Sequence, residues 1–251
     1  MSDNAIGLIV LACIFGASLL GMLMRPALSQ HHLSADTKDS VKLGMGLVGT
    51  MAALILGLLV AAAKSAYDTE KSEVTQMAAK LVFLDRVLAN YGPESADSRA
   101  LLRRMVEGSL SRMWPDERSH HSQLEPIGSG AEEVNKAIQK LAPRNDVQGS
   151  LKSQAMGVVT DVGQLRWLLF EQSGSSISMP LLIVVISWLA IIFFSWGLFA
   201  PSNSIAIAAL LLAALSVSGA IFLILELDQP FDGLIHISSA PMRNALAHLG
   251  K

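Results

Sequence analysis

Apolar residues run without a charged side chain from Leu43 to Ala63, LGMGLVGTMAALILGLLVAAA. As a helix this stretch is about 31 Å long, the thickness of a bilayer's hydrocarbon core. Three more runs share that character, at about 5–24, 179–199 and 204–225. The first is followed by Arg25-Pro26 and lacks both a basic start and a small-residue cleavage motif, so it reads as a retained membrane helix and not a signal peptide. Pro180 falls in the first turn of the third, where a missing N–H does no harm. Only Ala200 to Asn203 separate the last two, which predicts an antiparallel hairpin. No Gly or Pro interrupts Leu58 to Tyr91, so the second helix is expected to leave the bilayer past Lys64, Tyr67 and Asp68 and continue in water.

Between the second and third runs the pattern changes to amphipathic helices. Val74, Met77, Leu81, Leu84 and Leu88 recur at steps of three and four and form one seam, which should stop at Tyr91-Gly92-Pro93. A helix over about 94–113 puts Leu102, Met105, Val106 and Leu110 on one side and Arg99, Arg103 and Arg104 toward solvent. After a loop over 115–131, a short helix is predicted at about 132–141. A longer one from Asp146 carries Val147, Leu151, Ala155, Val158, Val162, Leu165 and Leu169 on one stripe. The chain therefore divides into a first membrane pair at 1–63, a helical bundle at 64–177, a membrane hairpin at 178–225 and a C-terminal segment at 226–251. The fold class is all-α, a four-span helical membrane protein with a cytoplasmic bundle.

Composition agrees with that class, with 51% hydrophobic residues, 16% charged and a mean hydropathy of +0.45 over 251 residues. A formal charge of -2, with no basic cluster interleaved with aromatics, sets nucleic acid aside as a partner. One cysteine, Cys13, allows no intrachain disulfide. Four crossings put both termini and the bundle on one side. That side holds every Lys and Arg except Arg25, Lys38 and Lys42, which favours both termini in the cytoplasm and a bacterial inner (plasma) membrane.

Several motifs compete for a role. Gly44, Gly46 and Gly49 spell GxGxxG, but an unbroken apolar run follows, so helix packing is the expected use and not a dinucleotide. His31-His32 with Asp36, and His120-His121, read as solvated loop residues with few metal ligands. Glu226, Asp228 and Asp232 follow an apolar helix directly. There carboxylates need an ion pair, for which Lys64 is the candidate, or a cation, or a proton-coupled role. No nucleophile elbow, P-loop or cofactor motif is present, so no enzyme is expected. Gly46, Thr50, Ala53, Gly57 and Ala61 fall on one stripe of the second span, suited to close helix contact or to a narrow pore, while Met51, Ile55 and Leu58 face elsewhere. Ala206, Ala209, Ala213, Ser216 and Ala220 make a second stripe on the fourth span, suited to helix packing in lipid.

HLSADTKDSVKLGMGLVGTMAALILGLLVAAAKSAYDT, LDRVLANYGPESADSRALLRR and ELDQPFDG with ISSAPM resemble uncharacterised bacterial membrane proteins described as bestrophin-like. The layout is also similar to bestrophins, which have four spans, cytoplasmic termini, a helical insertion and an acidic Pro-Phe-Gly turn after the fourth span. Here Glu226, Pro230, Phe231 and Gly233 match that turn. The resemblance implies a ring of subunits, usually five, whose second helices surround an ion pathway. Gly46, Thr50, Ala53, Gly57 and Ala61 would then line the pore or its gate, with Ile55, Leu58 or Leu59 at the constriction. It also implies a calcium ion at the turn after the fourth span, although the chain lacks the dense acidic run of calcium-regulated members and the aromatics of the bestrophin neck. The expected function is an oligomeric channel passing inorganic ions passively, anions slightly favoured, in a lipid bilayer. The alternative is a non-conducting scaffold or sensor acting through the bundle.

Overall fold

A computed structural model describes residues 3–27, 35–115, 129–172, 177–231 and 233–251. Its helices are α1 (Asp3–Met24), α2 (Ala35–Tyr91), α3 (Ala96–Met113), α4 (Ser129–Gln139), α5 (Asp146–Gln172), α6 (Met179–Phe199), α7 (Ser204–Leu227) and α8 (Ala240–His248), and no strand occurs among the described residues. The fold is all-α, and α1, α2, α6 and α7 are long and apolar enough to cross a membrane. α2 is 57 residues long and begins at Ala35, inside the stretch 25–42 expected to be a loop. Its exposed first turns are stabilised by Asp36 near the helix N-terminus and by the Lys42–Asp39 pair at 3.3 Å.

The chain divides into two compact units. One comprises 1–66 and 176–228, and the other 67–175 and 229–251. In the first, α1 packs on α6 and α7 through Val10, Ile14, Ser18 and Met22, one residue per turn. Glycine decides how close α1 and α6 come. A Cβ at Gly197 would collide with the backbone carbonyl of Ser18, and one at Gly21 with that of Phe194. Arg25 Nη1 donates to the carbonyl of Ala200 at 2.7 Å and fastens the end of that crossing. Asn203 begins α7 by accepting from the amide of Ala206 at 2.8 Å.

The second unit is a bundle around the seam Val74, Met77, Leu81, Leu84 and Leu88, all buried. α2 stops where Gly92 takes φ 125, a left-handed backbone that favours glycine, before Pro93. The freed carbonyl of Tyr91 accepts from Gln148 Nε2 at 2.9 Å. On α5 the buried stripe is Ala155, Val158, Val162, Leu165 and Leu169, while Val147 stands exposed in the first turn. Residues 229–251 belong to this core. Trp114 Nε1 donates to the carbonyl of Ile237 at 2.7 Å and its ring meets Phe231 edge-on at 5.9 Å.

Candidate functional site

α2 presents two unlike faces within the membrane unit. Ala52, Leu59 and Ala63 are buried and hold the helix against its own chain. Gly46, Thr50, Ala53, Gly57 and Ala61 lie roughly 140° around the helix from them, and all five are exposed. A Cβ at Gly46 or Gly57 would meet no atom within 4 Å. These glycines therefore answer no packing need within the chain, unlike Gly21 and Gly197. Thr50 Oγ1 spends its proton on the carbonyl of Leu47 at 2.7 Å, so the hydroxyl offers its lone pairs outward. Only 11% of the apolar window of α2 is buried, against 28% for α1, 33% for α6 and 28% for α7.

The three residues expected at a constriction part company. Leu58 is 69% exposed beside the small-residue stripe, Ile55 is half-buried, and Leu59 is 5% exposed against its own chain. Gly44, Gly46 and Gly49 sit inside α2, more than two turns past its start, where helix bonds already use the backbone N–H groups that would cradle a phosphate.

On α7 the inward face is Leu210, Ala214, Ser218 and Ile221. The stripe Ala206, Ala209, Ala213, Ser216 and Ala220, expected to pack against another helix, is half-buried or exposed in the single chain. Ala213 and Ser216 instead join α2 and α6 in walling a groove of about 710 Å³, and two residues of the α2 stripe, Gly46 and Ala53, lie on its lining with Gly49 and Ala52.

Glu226 is 2% exposed at the end of α7, and Asp228 closes the helix with its amide on the carbonyls of Ile224 and Leu225. Lys64 is exposed in the same unit. Asp232, His31, His32, His120 and His121 lie outside the described residues. Gly233 takes φ 91, a left-handed backbone that favours glycine. Among the described residues no group of three His, Cys, Asp or Glu side chains is placed to hold a metal ion.

The bundle contains polar groups that sequence periodicity did not reveal. Asp85 is 2% exposed and receives both Nε and Nη2 of Arg99, at 2.8 and 2.9 Å, together with the amide of Gly250 at 3.2 Å. Burial pushes the Asp85 carboxyl up, but the hydrogen bonds from Arg99 and Gly250 and the charges of Arg99 and Arg86 outweigh it, and the net shift is downward. Arg99 Nη2 also donates to the carbonyl of Lys251 at 3.1 Å, and Arg103 Nη1 to that of Leu249 at 3.1 Å. Arg99 and Arg103 were expected at the solvent face; instead they fasten the C-terminus to α2 and α3. Glu70 and Glu73 are buried as well. Gln172 Nε2 donates to Glu73 at 3.2 Å.

Residues 12–242 match the family model of the Bestrophin-like domain. Solved structures of similar fold include three crystal structures of a bacterial Bestrophin homolog from Klebsiella pneumoniae. One substituted form is 13% identical with a TM-score of 0.72, covering 99% of this chain and 97% of that one. Another is 13% identical with a TM-score of 0.69, covering 96% and 97%. The zinc-phased structure is 12% identical with a TM-score of 0.67, covering 96% of each chain. No curated protein matches the chain.

Proposed function

From the premise that the chain belongs to the Bestrophin-like family, we propose that it forms a homo-oligomeric ion channel, a pentamer by the family likeness, with its pore along the outward face of α2. One observation carries this reading. The second crossing is the least buried of the four, and its stripe of Gly46, Thr50, Ala53, Gly57 and Ala61 is exposed in the single chain. An uncharged face of Gly46, Thr50, Ala53, Gly57 and Ala61 gives a narrow, weakly polar passage when repeated around an axis. The burial of Leu59 leaves Leu58, with Ile55 behind it, as the constriction, able to gate by dewetting. The exposed pair of Lys42 and Asp39 beyond the stripe sets little net charge at the mouth, so a preference for anions is slight. The bacterial inner membrane, with termini and bundle in the cytoplasm, follows from the placement of basic residues.

Within this reading Lys64 pairs with Glu226, which is buried, or with the half-buried Asp228 at the cytoplasmic end of the spans, where a carboxylate is costly without a cation. By the family likeness a calcium ion would belong to the turn after the fourth span, where the sequence supplies Glu226, Asp228 and Asp232 as oxygen ligands. Purified protein in liposomes should pass ions, and Thr50→Phe or Gly57→Leu should sharply reduce that flux with the oligomer intact. Absence of flux across a range of calcium and pH would refute conduction and leave the scaffold reading.

A further inference from the structure

The second unit holds a cavity where α2, α3, α5 and α8 meet. Most of its wall is apolar, and Met77, Met105, Met113 and Met242 give it four thioethers. Ser109 and Arg112 reach it from α3 and Arg166 from α5, and none of the described residues lining it is acidic. Two guanidiniums thus border a space whose wall supplies no counter-charge. Charge beside an apolar wall is costly unless it is paired.

Arg99, Arg103 and Arg144 of the same unit each hold a carboxylate, at 2.8, 3.1 and 3.0 Å. Arg112 holds none among the described residues. Its half-buried side chain folds back along α3, with Nη1 3.5 Å from where a Cβ on Gly108 would stand. Ser109, three residues before it, lies on the same side of the helix. Ser109 is 8% exposed, and its hydroxyl makes no hydrogen bond among the described residues, whereas Ser111 in the same turn donates to the carbonyl of Gly108 at 3.0 Å. A buried hydroxyl and a fork of N–H donors therefore line one small space.

Those donors fit a carboxylate. Its two oxygens match the parallel N–H bonds of a guanidinium, with the serine hydroxyl as a further donor. A phosphate carries more oxygens than these groups satisfy, and the methionine wall would leave the rest bare. The cavity leaves about 30 Å³ for the centres of water-sized molecules, room for about two waters. Thioethers are adaptable and can shift to admit a little more.

We propose that this cavity binds a short aliphatic monocarboxylate of about two to four carbons, with its oxygens on Arg112, Ser109 and Arg166 and its carbons among the methionines. The site is independent of conduction, and its test reads binding alone.

Calorimetric titration of the full-length protein in dodecyl maltoside with sodium propionate should show one site per chain. Arg112→Gln should weaken binding about tenfold or more, and Arg112→Lys, which keeps the charge but loses the fork, should fall between. Arg104→Gln, which removes an exposed charge from the same helix, should bind as the wild type does. Sodium phosphate should not displace propionate. Thermal melts of each variant without ligand separate lost binding from lost folding, and Arg112→Lys decides the matter if Arg112→Gln does not fold. No binding by the wild type would overturn the proposal, as would wild-type affinity in Arg112→Lys or in a folded Arg112→Gln protein. Displacement by phosphate as effective as by propionate itself would overturn it too, and so would an Arg104→Gln loss as large as that of the Arg112 variants.

Discussion

Replacing Asp85 by Ala should release the C-terminal segment from the bundle. The substitution removes two charge-assisted hydrogen bonds from Arg99 and the acceptor for the Gly250 amide. Breaking a buried ion pair costs about 3–5 kcal/mol, and the lower end applies because Arg99 keeps 22% exposure and can reach water. About 3 kcal/mol corresponds to a fall in Tm of about 6–12 °C for a chain of this size. Arg99→Ala should cost at least as much, since it strands a carboxylate that is 2% exposed. The double variant should be less destabilised than the sum of the singles, with a coupling of about 1–3 kcal/mol. Acid adds a second reading. The folded Asp85 carboxyl lies below its ordinary 3.8, so its stabilisation is present above pH 3.8 and is lost as pH falls through the lowered folded value. Asp85→Ala should therefore remove part of the wild type's loss of stability below pH 3.8. Hydrogen exchange over 237–251 and thermal melts of the detergent-solubilised protein measure both effects. Additive single variants, or unchanged protection of α8 in Asp85→Ala, would refute the latch.

Gly197→Val should prevent α1 from seating on α6, because even a Cβ meets the Ser18 carbonyl, and poor insertion or a Tm loss larger than that of Gly57→Val would register it. Gly57→Ala, whose Cβ meets open space, should leave monomer stability within about 0.5 kcal/mol of wild type, so that any effect appears in assembly or flux. Replacing Lys64 or Asp228 by Ala should lower thermal stability or disrupt assembly, and unchanged melts with an intact oligomer would dismiss their pairing.

The membrane helices were legible because an uninterrupted apolar run of twenty residues has few other stable fates in a chain with so little charge. Their ends were less so. α2 begins at Ala35, since the polar residues before Leu43 suit an exposed helix as well as a loop. The seam from Val74 to Leu88 and the stop at Gly92-Pro93 could be read, because period and breaker agree there. What escaped was long-range and polar. Asp85 and Arg99 look like any surface pair in a charged helix, and only the packing of residues 229–251 onto α3 buries one and draws in the other. The glycines of GxGxxG drew notice by their spacing, yet Gly21 and Gly197 make the closest backbone approach, one among three glycines of its run and the other the single glycine of its own. The small-residue stripe of α2 could be drawn from the sequence; that all five of its residues are exposed, with Gly46 and Ala53 on the groove toward α6 and α7, took the tertiary structure, which shows which side Ala52, Leu59 and Ala63 occupy.

An image of the assembled protein in a lipid nanodisc, at a resolution that separates helices and bulky side chains, addresses the central claim most directly. Copies of α2 should surround an axial opening onto which Gly46, Thr50, Ala53, Gly57 and Ala61 face, with Leu58 at its narrowest level. A monomer, or a solid core in which that face is packed against neighbouring side chains with no continuous opening, would contradict it.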